Sequence, residues 1–188
     1  VGTSLMLFLP AIFWIWFQTG TLDFKSGGIL EGKFPTEYLS FLVALLVFGI
    51  GKAAIMPIHR WLPAAMVAPT PVSALLHAVA VVKAGVFSFL VVVVYIIGPE
   101  YLFESKASDW LIWLASFTIL ASSIIAISKD DLKARLAYST ISQLSYIILG
   151  AALATTFAIK GASFHIITHA IGKITLFFCA GAIYVTAH

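Results

Sequence analysis

Three lysines lie inside long apolar runs of this 188-residue sequence: Lys52, Lys83 and Lys173. Each costs roughly 2.5–3.5 kcal/mol at the centre of a membrane-spanning helix, so the three together cost roughly 8–10 kcal/mol. All eight acidic residues fall instead in the predicted connections or at predicted helix ends. A partner charge outside these runs, or internal water, must therefore compensate the lysines. A buried lysine also loses proton affinity, which suits it to load and release a proton near neutral pH.

Histidines extend this pattern on the last apolar run. His165, His169 and Lys173 follow one another at intervals of four residues, so they form one polar stripe along a helix, with Thr168 beside it. Lys173 lies about 20 Å into that helix, near the middle of a bilayer. Histidine titrates closest to neutrality and can accept a proton on one ring nitrogen while releasing one from the other.

A second predicted helix carries His77 and Lys83, about 9 Å apart along its axis. Together with the stripe and Lys52, these side chains predict a proton relay inside the membrane. Its members are Lys52, His77, Lys83, His165, His169 and Lys173.

Other interpretations of these residues stay open. Lys52 is also compatible with an amine that reaches the interface from a helix end, and a lone buried histidine such as His77 is often only structural. Histidines four residues apart occur in zinc sites, but no carboxylate or thiol completes a ligand set here, so we expect no metal. The run "YSTISQLSY" at 138–146 is typical of small-residue helix packing, and its Ser142 is a possible supporting hydroxyl for the relay.

The composition is that of a membrane protein. Hydrophobic residues make up 61% of the chain and charged residues 10%, and the mean hydropathy is +1.05, whereas soluble domains are about half apolar and a quarter charged. The basic residues are scattered, so we expect no nucleic-acid partner. The single Cys179 lies in an apolar run and is expected to be a packing residue.

Six stretches approach the length of about 20 residues that a helix needs to cross a bilayer. They are 1–19, 37–56, 72–97, 110–127, 134–154 and 160–186. The sequence therefore predicts an all-α, polytopic transmembrane bundle of about six helices. Because the chain opens in an apolar run without an initiator Met, we expect residues 1–188 to be part of a longer transmembrane domain, truncated at both termini.

One predicted helix is interrupted beside Lys52. Pro57 removes the backbone donor for the carbonyl of Ala53, and Gly49 and Gly51 loosen the same turn. Irregular backbone at membrane depth is tolerated only where it is buried in protein or lines a water-filled cavity. We therefore expect a broken helix near Lys52.

Three long segments together resemble the proton-translocating antiporter-like membrane subunits. They are "GKAAIMPIHRWLPAAMVAPTPVSALLHAVAVVKAGVF", "SKDDLKARLAYSTISQLSY" and "FHIITHAIGKITLFFCAGA". This family includes the large membrane subunits of respiratory complex I (NADH–quinone oxidoreductase) and related subunits of membrane-bound hydrogenases and multi-subunit sodium/proton antiporters. The motifs cover about residues 37–185.

The resemblance implies a fold of two inverted repeats, each with a broken helix, around a hydrated axis of lysines and histidines. It matches Lys52 to the lysine of the first broken helix, whose proton affinity a membrane glutamate modulates. It matches His77, Lys83, His165 and His169 to relay positions and Lys173 to the central lysine. It also implies other membrane subunits as partners, in a bacterial or archaeal inner membrane, and no redox cofactor in this chain.

Three functions fit these observations. The first is proton translocation within a redox-driven complex such as NADH–quinone oxidoreductase. The second is a subunit of a sodium/proton antiporter without redox chemistry, in which sodium is the coupled ion. The third is a structural membrane subunit whose polar residues only hold helices together; it predicts that Lys→Met substitutions at positions 52, 83 and 173 leave transport unchanged.

Overall fold

The chain is built of helices joined by turns, with no β-strand in residues 2–76 and 80–187, which are those that the computed structural model describes. His77 lies outside the described residues. The α-helices are α1 (Gly2–Thr19), α2 (Thr36–Gly49), α3 (Trp61–Ala64), α4 (Thr70–Ala74), α5 (Val81–Val91), α6 (Pro99–Ser105), α7 (Asp109–Ile127), α8 (Leu132–Ala152) and α9 (Thr156–Ala187). A 3₁₀ turn at Ala65–Val67 follows α3, and a π-helix at Val92–Ile97 extends α5.

Helix α8 is the centre of the bundle. It packs against α7 along one side and against α9, α5 and α3 along others, while α9 also contacts α4 and α5. Side chains of α8 such as Ile141, Leu144 and Ile147 are fully buried in a core shared with α2, α5 and α7. Because lipid tails are as apolar as these side chains, close packing rather than water exclusion holds such helices together.

The predicted all-helical bundle is confirmed, and four of the six predicted stretches coincide with α1, α7, α8 and α9 to within four residues. Two differ. The stretch 37–56 is helical only as far as Gly49, and the stretch 72–97 consists of α4, α5 and the π-helix. The segment expected as a loop after Ile97 contains α6, which Pro99 begins at a position where its missing N–H needs no partner.

The predicted interruption at Lys52 is confirmed. Helix α2 ends at Gly49, and the next helix begins only at Trp61. Between them Gly51 (φ 35°) and Ala54 (φ 54°) have left-handed backbone conformations, which a right-handed helix does not accommodate. Lys52 therefore lies on irregular backbone.

Two described helices are long and apolar enough to cross a membrane by themselves: α7, and Thr156–Thr186 within α9. A third span results if Val81–Ile97 and Pro99–Ser105 count as one, although an 85° bend separates them. The apolar segments Met6–Thr19 and Thr36–Gly49 are shorter. Helix α8 has serines and threonines on its buried side, such as Thr140, Ser142 and Ser145, and these reduce its apolar character.

The turn between α7 and α8 is fixed by its charged residues. The Asp131 carboxylate accepts hydrogen bonds from the backbone N–H groups of Lys133 (3.2 Å) and Ala134 (3.1 Å), which caps α8. The Tyr184 hydroxyl of α9 also donates to this carboxylate. The pKa of Asp131 is below its usual value, mainly because of the hydrogen bond from this hydroxyl. The two backbone N–H groups and the charge of Lys133 also lower the pKa, whereas partial burial raises it. The start of α8 is thereby tied to the end of α9.

Candidate functional site

Helices α5 and α9 meet through a lysine and a histidine. The Nζ atom of Lys83 lies 2.9 Å from Nδ1 of His169, and both side chains are buried, at 6% and 8% exposure. A charged amine donates to the unprotonated Nδ1, and a charged imidazole donates from Nδ1 to a neutral amine. The hydrogen bond between Nζ and Nδ1 can therefore form whether the positive charge is on the lysine or on the histidine.

His165 continues the polar stripe one turn away. Its ring is stacked on that of His169, with centroids 5.9 Å apart and planes within 6° of each other. The ring of Tyr146 on α8 meets His165 edge-on at 6.3 Å. The Nε2 atoms of both histidines are buried and have no hydrogen-bond partner among the described residues. Buried polar atoms normally have a partner, so these two nitrogens are unusual.

Lys173 is held by α8. Its Nζ donates to the Ser139 hydroxyl at 2.8 Å and to the Leu136 carbonyl at 3.1 Å, and its side chain is 3% exposed. Lys83 on α5, like Lys173, is buried, at 6% exposure. Two lysine side chains are thus buried inside the bundle.

Lys52 lies beside this cluster rather than in it, and its side chain is exposed. Its backbone nevertheless packs directly on α5, because a Cβ atom added to Gly85 would lie 2.7 Å from the Lys52 carbonyl carbon and 2.7 Å from the Ala53 nitrogen. Gly85 is two residues beyond Lys83 in sequence. The absence of a side chain at this position allows the interrupted segment to reach the helix of Lys83.

The two residues predicted as supporting hydroxyls lie elsewhere. The Ser142 hydroxyl is 2.9 Å from that of Ser123 and donates to the Ile119 carbonyl at 3.3 Å, so it is at the contact of α7 with α8. Thr168 is exposed, and its hydroxyl bonds to carbonyls of its own helix. A supporting role for either residue stays a prediction from the sequence.

Sequence reasoning missed three residues of this site: Ser139, Tyr146 and Gly85. Ser139 and Tyr146 lie in the polar run already noted on α8, but only the packing of α8 against α9 shows which of its members contact Lys173 and His165. The described residues contain no group of three His, Cys, Asp or Glu side chains arranged to hold a metal ion.

Comparison with known proteins identifies the family. The family model described as "NADH:quinone oxidoreductase/Mrp antiporter, TM" matches residues 1–188. The chain belongs to this family. The resemblance found in the sequence motifs is therefore confirmed, and so is the location in a membrane.

Individual members of the NADH:quinone oxidoreductase/Mrp antiporter family are similar along nearly the whole chain. NAD(P)H-quinone oxidoreductase chain 5 of Synechocystis sp. is 38% identical over 187 residues, which cover 96% of this chain and 26% of the relative. The chloroplastic NAD(P)H-quinone oxidoreductase subunit 5 of Phaseolus vulgaris is 35% identical, with 96% and 24% covered. In the solved Mrp complex from Dietzia sp., one chain superposes with a TM-score of 0.82 at 34% identity, covering 95% of this chain and 20% of that one.

The chain thus spans about a quarter of the length of these curated relatives. Its six predicted relay positions fall within the matched part.

Proposed function

We propose that residues 1–188 form part of the proton-conducting domain of a membrane subunit, and that protons move along α5 and α9 within it. The observation that carries this proposal is the 2.9 Å contact between Lys83 Nζ and His169 Nδ1, with Lys173 buried one turn further along α9. Buried charges in a membrane are costly and are characteristic of ion pathways. In our proposal the pathway consists of Lys83 in contact with His169, and of Lys173 one helical turn beyond His169.

The proton steps follow from the ring geometry. Lys83 passes a proton to Nδ1 of His169, and the imidazolium then releases a proton from Nε2. That nitrogen and Nε2 of His165 are both buried and have no hydrogen-bond partner among the described residues. Internal water of the kind that satisfies buried polar groups would connect them to each other and to Lys173. The proposed relay therefore includes Lys83, His165, His169 and Lys173.

The proposed relay also includes Lys52 and His77, as the sequence predicts. Lys52 is on the interrupted segment whose backbone packs on α5 at Gly85, two residues beyond Lys83, and this contact supports its place in the proposed relay. His77 precedes Lys83 in the sequence and lies outside the described residues. A membrane glutamate elsewhere in the subunit is the expected partner of Lys52.

The driving reaction that we favour is quinone reduction. Two of the relatives are named as subunits of NAD(P)H-quinone oxidoreductase, and they are 35% and 38% identical to this chain. In such a complex the electron-transfer centres belong to other subunits, so we propose that this chain holds no redox cofactor and that its partners are other membrane subunits.

A second candidate is a subunit of a sodium/proton antiporter. The superposition on a chain of the Mrp complex at a TM-score of 0.82 favours it. Proton movement that requires sodium, and that needs no quinone substrate, would identify this function. Proton movement driven by quinone reduction without sodium would identify the first.

Replacement of Lys173 tests the common core of both candidates. In the full-length protein, assembled in its membrane complex and reconstituted in vesicles, K173A is expected to lower proton translocation at least tenfold, because the central buried amine is lost. The matched control is K160A, which removes an exposed lysine from the same helix and should leave translocation unchanged. Assembly of the complex is checked by gel filtration for each variant. An assembled K173A complex that translocates protons at the normal rate overturns the proposal.

A further inference from the structure

The Ser139 hydroxyl on α8 contacts the proposed relay but does not belong to it. It lies 2.8 Å from Lys173 Nζ, and the neighbouring Leu136 carbonyl lies 3.1 Å from the same atom. That carbonyl also accepts a hydrogen bond from the Thr140 hydroxyl at 2.8 Å. Lys173 therefore has two hydrogen-bond partners: the Leu136 carbonyl, which it shares with Thr140, and the Ser139 hydroxyl.

The two acceptors differ in what they can do when Lys173 loses its proton. A carbonyl oxygen only accepts, whereas a hydroxyl both accepts from an ammonium and donates to a neutral amine. The Ser139 contact therefore persists in either charge state without movement of the amine. A hydrogen bond to the charged form is the stronger of the two, so the hydroxyl also favours the protonated amine.

Among the described residues, no Asp or Glu lies within α4, α5 or α8, the helices packed on α9. Helix α4 has no titratable residue, and α5 contains the buried Lys83. On α9 itself the nearest titratable group is His169, one turn away. Helix α8 presents the Ser139 hydroxyl and the Leu136 carbonyl to Lys173, and its Tyr146 ring meets His165 instead. Ser139 is thus the side chain in contact with Lys173 that stabilises its positive charge.

We propose that Ser139 is a positioning residue that sets the proton affinity of Lys173 and keeps its amine in place through each proton transfer. The inference rests on the proposed function, because it gives Ser139 a role only if Lys173 carries protons. It concerns the pH at which Lys173 works rather than whether it works.

The test is the pH profile of proton translocation by the full-length protein in its reconstituted complex. S139A removes the hydroxyl and should move the alkaline limb of the profile about one pH unit towards lower pH, as expected for one lost hydrogen bond to a charged group. S139T retains the hydroxyl and should restore the wild-type profile. S139C, which has a similar shape but a weaker hydrogen-bonding group, should shift the profile in the same direction as S139A and by less, and it serves if S139A does not assemble.

The matched control is S145A. Ser145 is on the same helix and is buried, but its hydroxyl donates to the Ile141 carbonyl of its own helix at 2.9 Å. Its removal should leave the pH profile unchanged. An unchanged profile in both S139A and S139C, or an equal shift in S145A, overturns the inference. Normal translocation by K173A would instead overturn the proposed function, so the two failures are distinguishable.

Discussion

Among the described residues, the contact of α7 with α8 and the contacts of α9 with α5 and α8 both bury polar side chains, but side chains of different kinds. Where α7 meets α8, the side chains are neutral hydroxyls that bond to backbone carbonyls or to each other: Ser108 to Ala152 at 2.7 Å, Thr118 to Leu114 at 2.8 Å, and Ser123 to Ser142 at 2.9 Å. Where α9 meets α5 and α8, the side chains are two lysines and two histidines, and two of their ring nitrogens have no described partner.

The difference shows that polarity inside the membrane does not by itself indicate function. A hydroxyl that bonds to its own helix costs little and lets backbones approach closely. A titratable group costs several kcal/mol there unless it is paired, so its presence is a stronger indication of a functional site. The two contacts differ less in the number of their polar atoms than in whether those atoms have hydrogen-bond partners.

The largest expected effect is that of Lys83→Met, which removes the amine from the α5–α9 contact. Proton translocation should fall at least tenfold, because His169 then has no proton donor at Nδ1. The thermal unfolding temperature should be unchanged or higher, because a buried cation is replaced by an apolar chain of similar length. The control is K106M, at an exposed lysine near the bent connection. Retained translocation in K83M would favour a structural role for this lysine.

Gly85→Ala tests whether the interrupted segment must contact α5. The new Cβ would lie 2.7 Å from backbone atoms of Lys52 and Ala53, neither of which is a flexible side chain. We expect a loss of about 1–3 kcal/mol in the free energy of unfolding, as for overpacking in a core, with reduced translocation. Gly161→Ala is the control, since nothing lies within 4 Å of its added Cβ. Equal stability of the two variants, measured by thermal denaturation, would contradict the close packing.

Ser108→Ala tests the hydroxyl-lined contact of α7 with α8. It leaves the Ala152 carbonyl without the hydroxyl that donates to it, so the free energy of unfolding should fall by about 0.5–1.5 kcal/mol. Translocation should be unchanged, because no titratable group is involved. A changed pH profile of translocation in S108A would mean that the two contacts are less separate than their hydrogen bonds indicate.

The smallest effect concerns the acid end of the pH range. The pKa of Asp131 is lowered mainly by the Tyr184 hydroxyl, so its contribution to stability is present above the unfolded value of about 3.9. That contribution is lost as the pH falls through the lower folded value. The unfolding temperature of wild type should therefore drop more steeply on acidification below about pH 4 than that of Y184F. Parallel curves for the two proteins would show that this contact does not tie α9 to α8.

The fold was largely predictable because its signals are local. Apolar runs of membrane length locate α1, α7, α8 and α9, and Gly49, Gly51 and Pro57 locate the interruption beside Lys52. The bend after the π-helix and the short helix α6 were not predicted. They depend on how the chain turns at Gly98, whose φ of 93° is accessible mainly to glycine. A glycine in the sequence indicates that a turn is allowed there, but not the direction in which the chain continues.

The sequence suggested candidate residues for the site but not the contacts between them. The cost of cations in apolar runs singles out Lys83 and Lys173, and helical spacing joins His165 and His169 to Lys173. Ser139 could not be distinguished from Ser142 in the same polar run, because both are small hydroxyl residues three positions apart on one helix.

The sequence alone determined that cationic and titratable groups lie within long apolar runs, because that depends only on residue type and local hydropathy. Only the tertiary structure decided which of these groups meet: that Lys83 contacts His169 across two helices, that Lys173 is held by Ser139, and that Lys52 is joined to α5 through its backbone. The physical reason is that hydrogen bonds act over about 3 Å. Residues 86 and 34 positions apart in the chain come within that distance only when their helices pack.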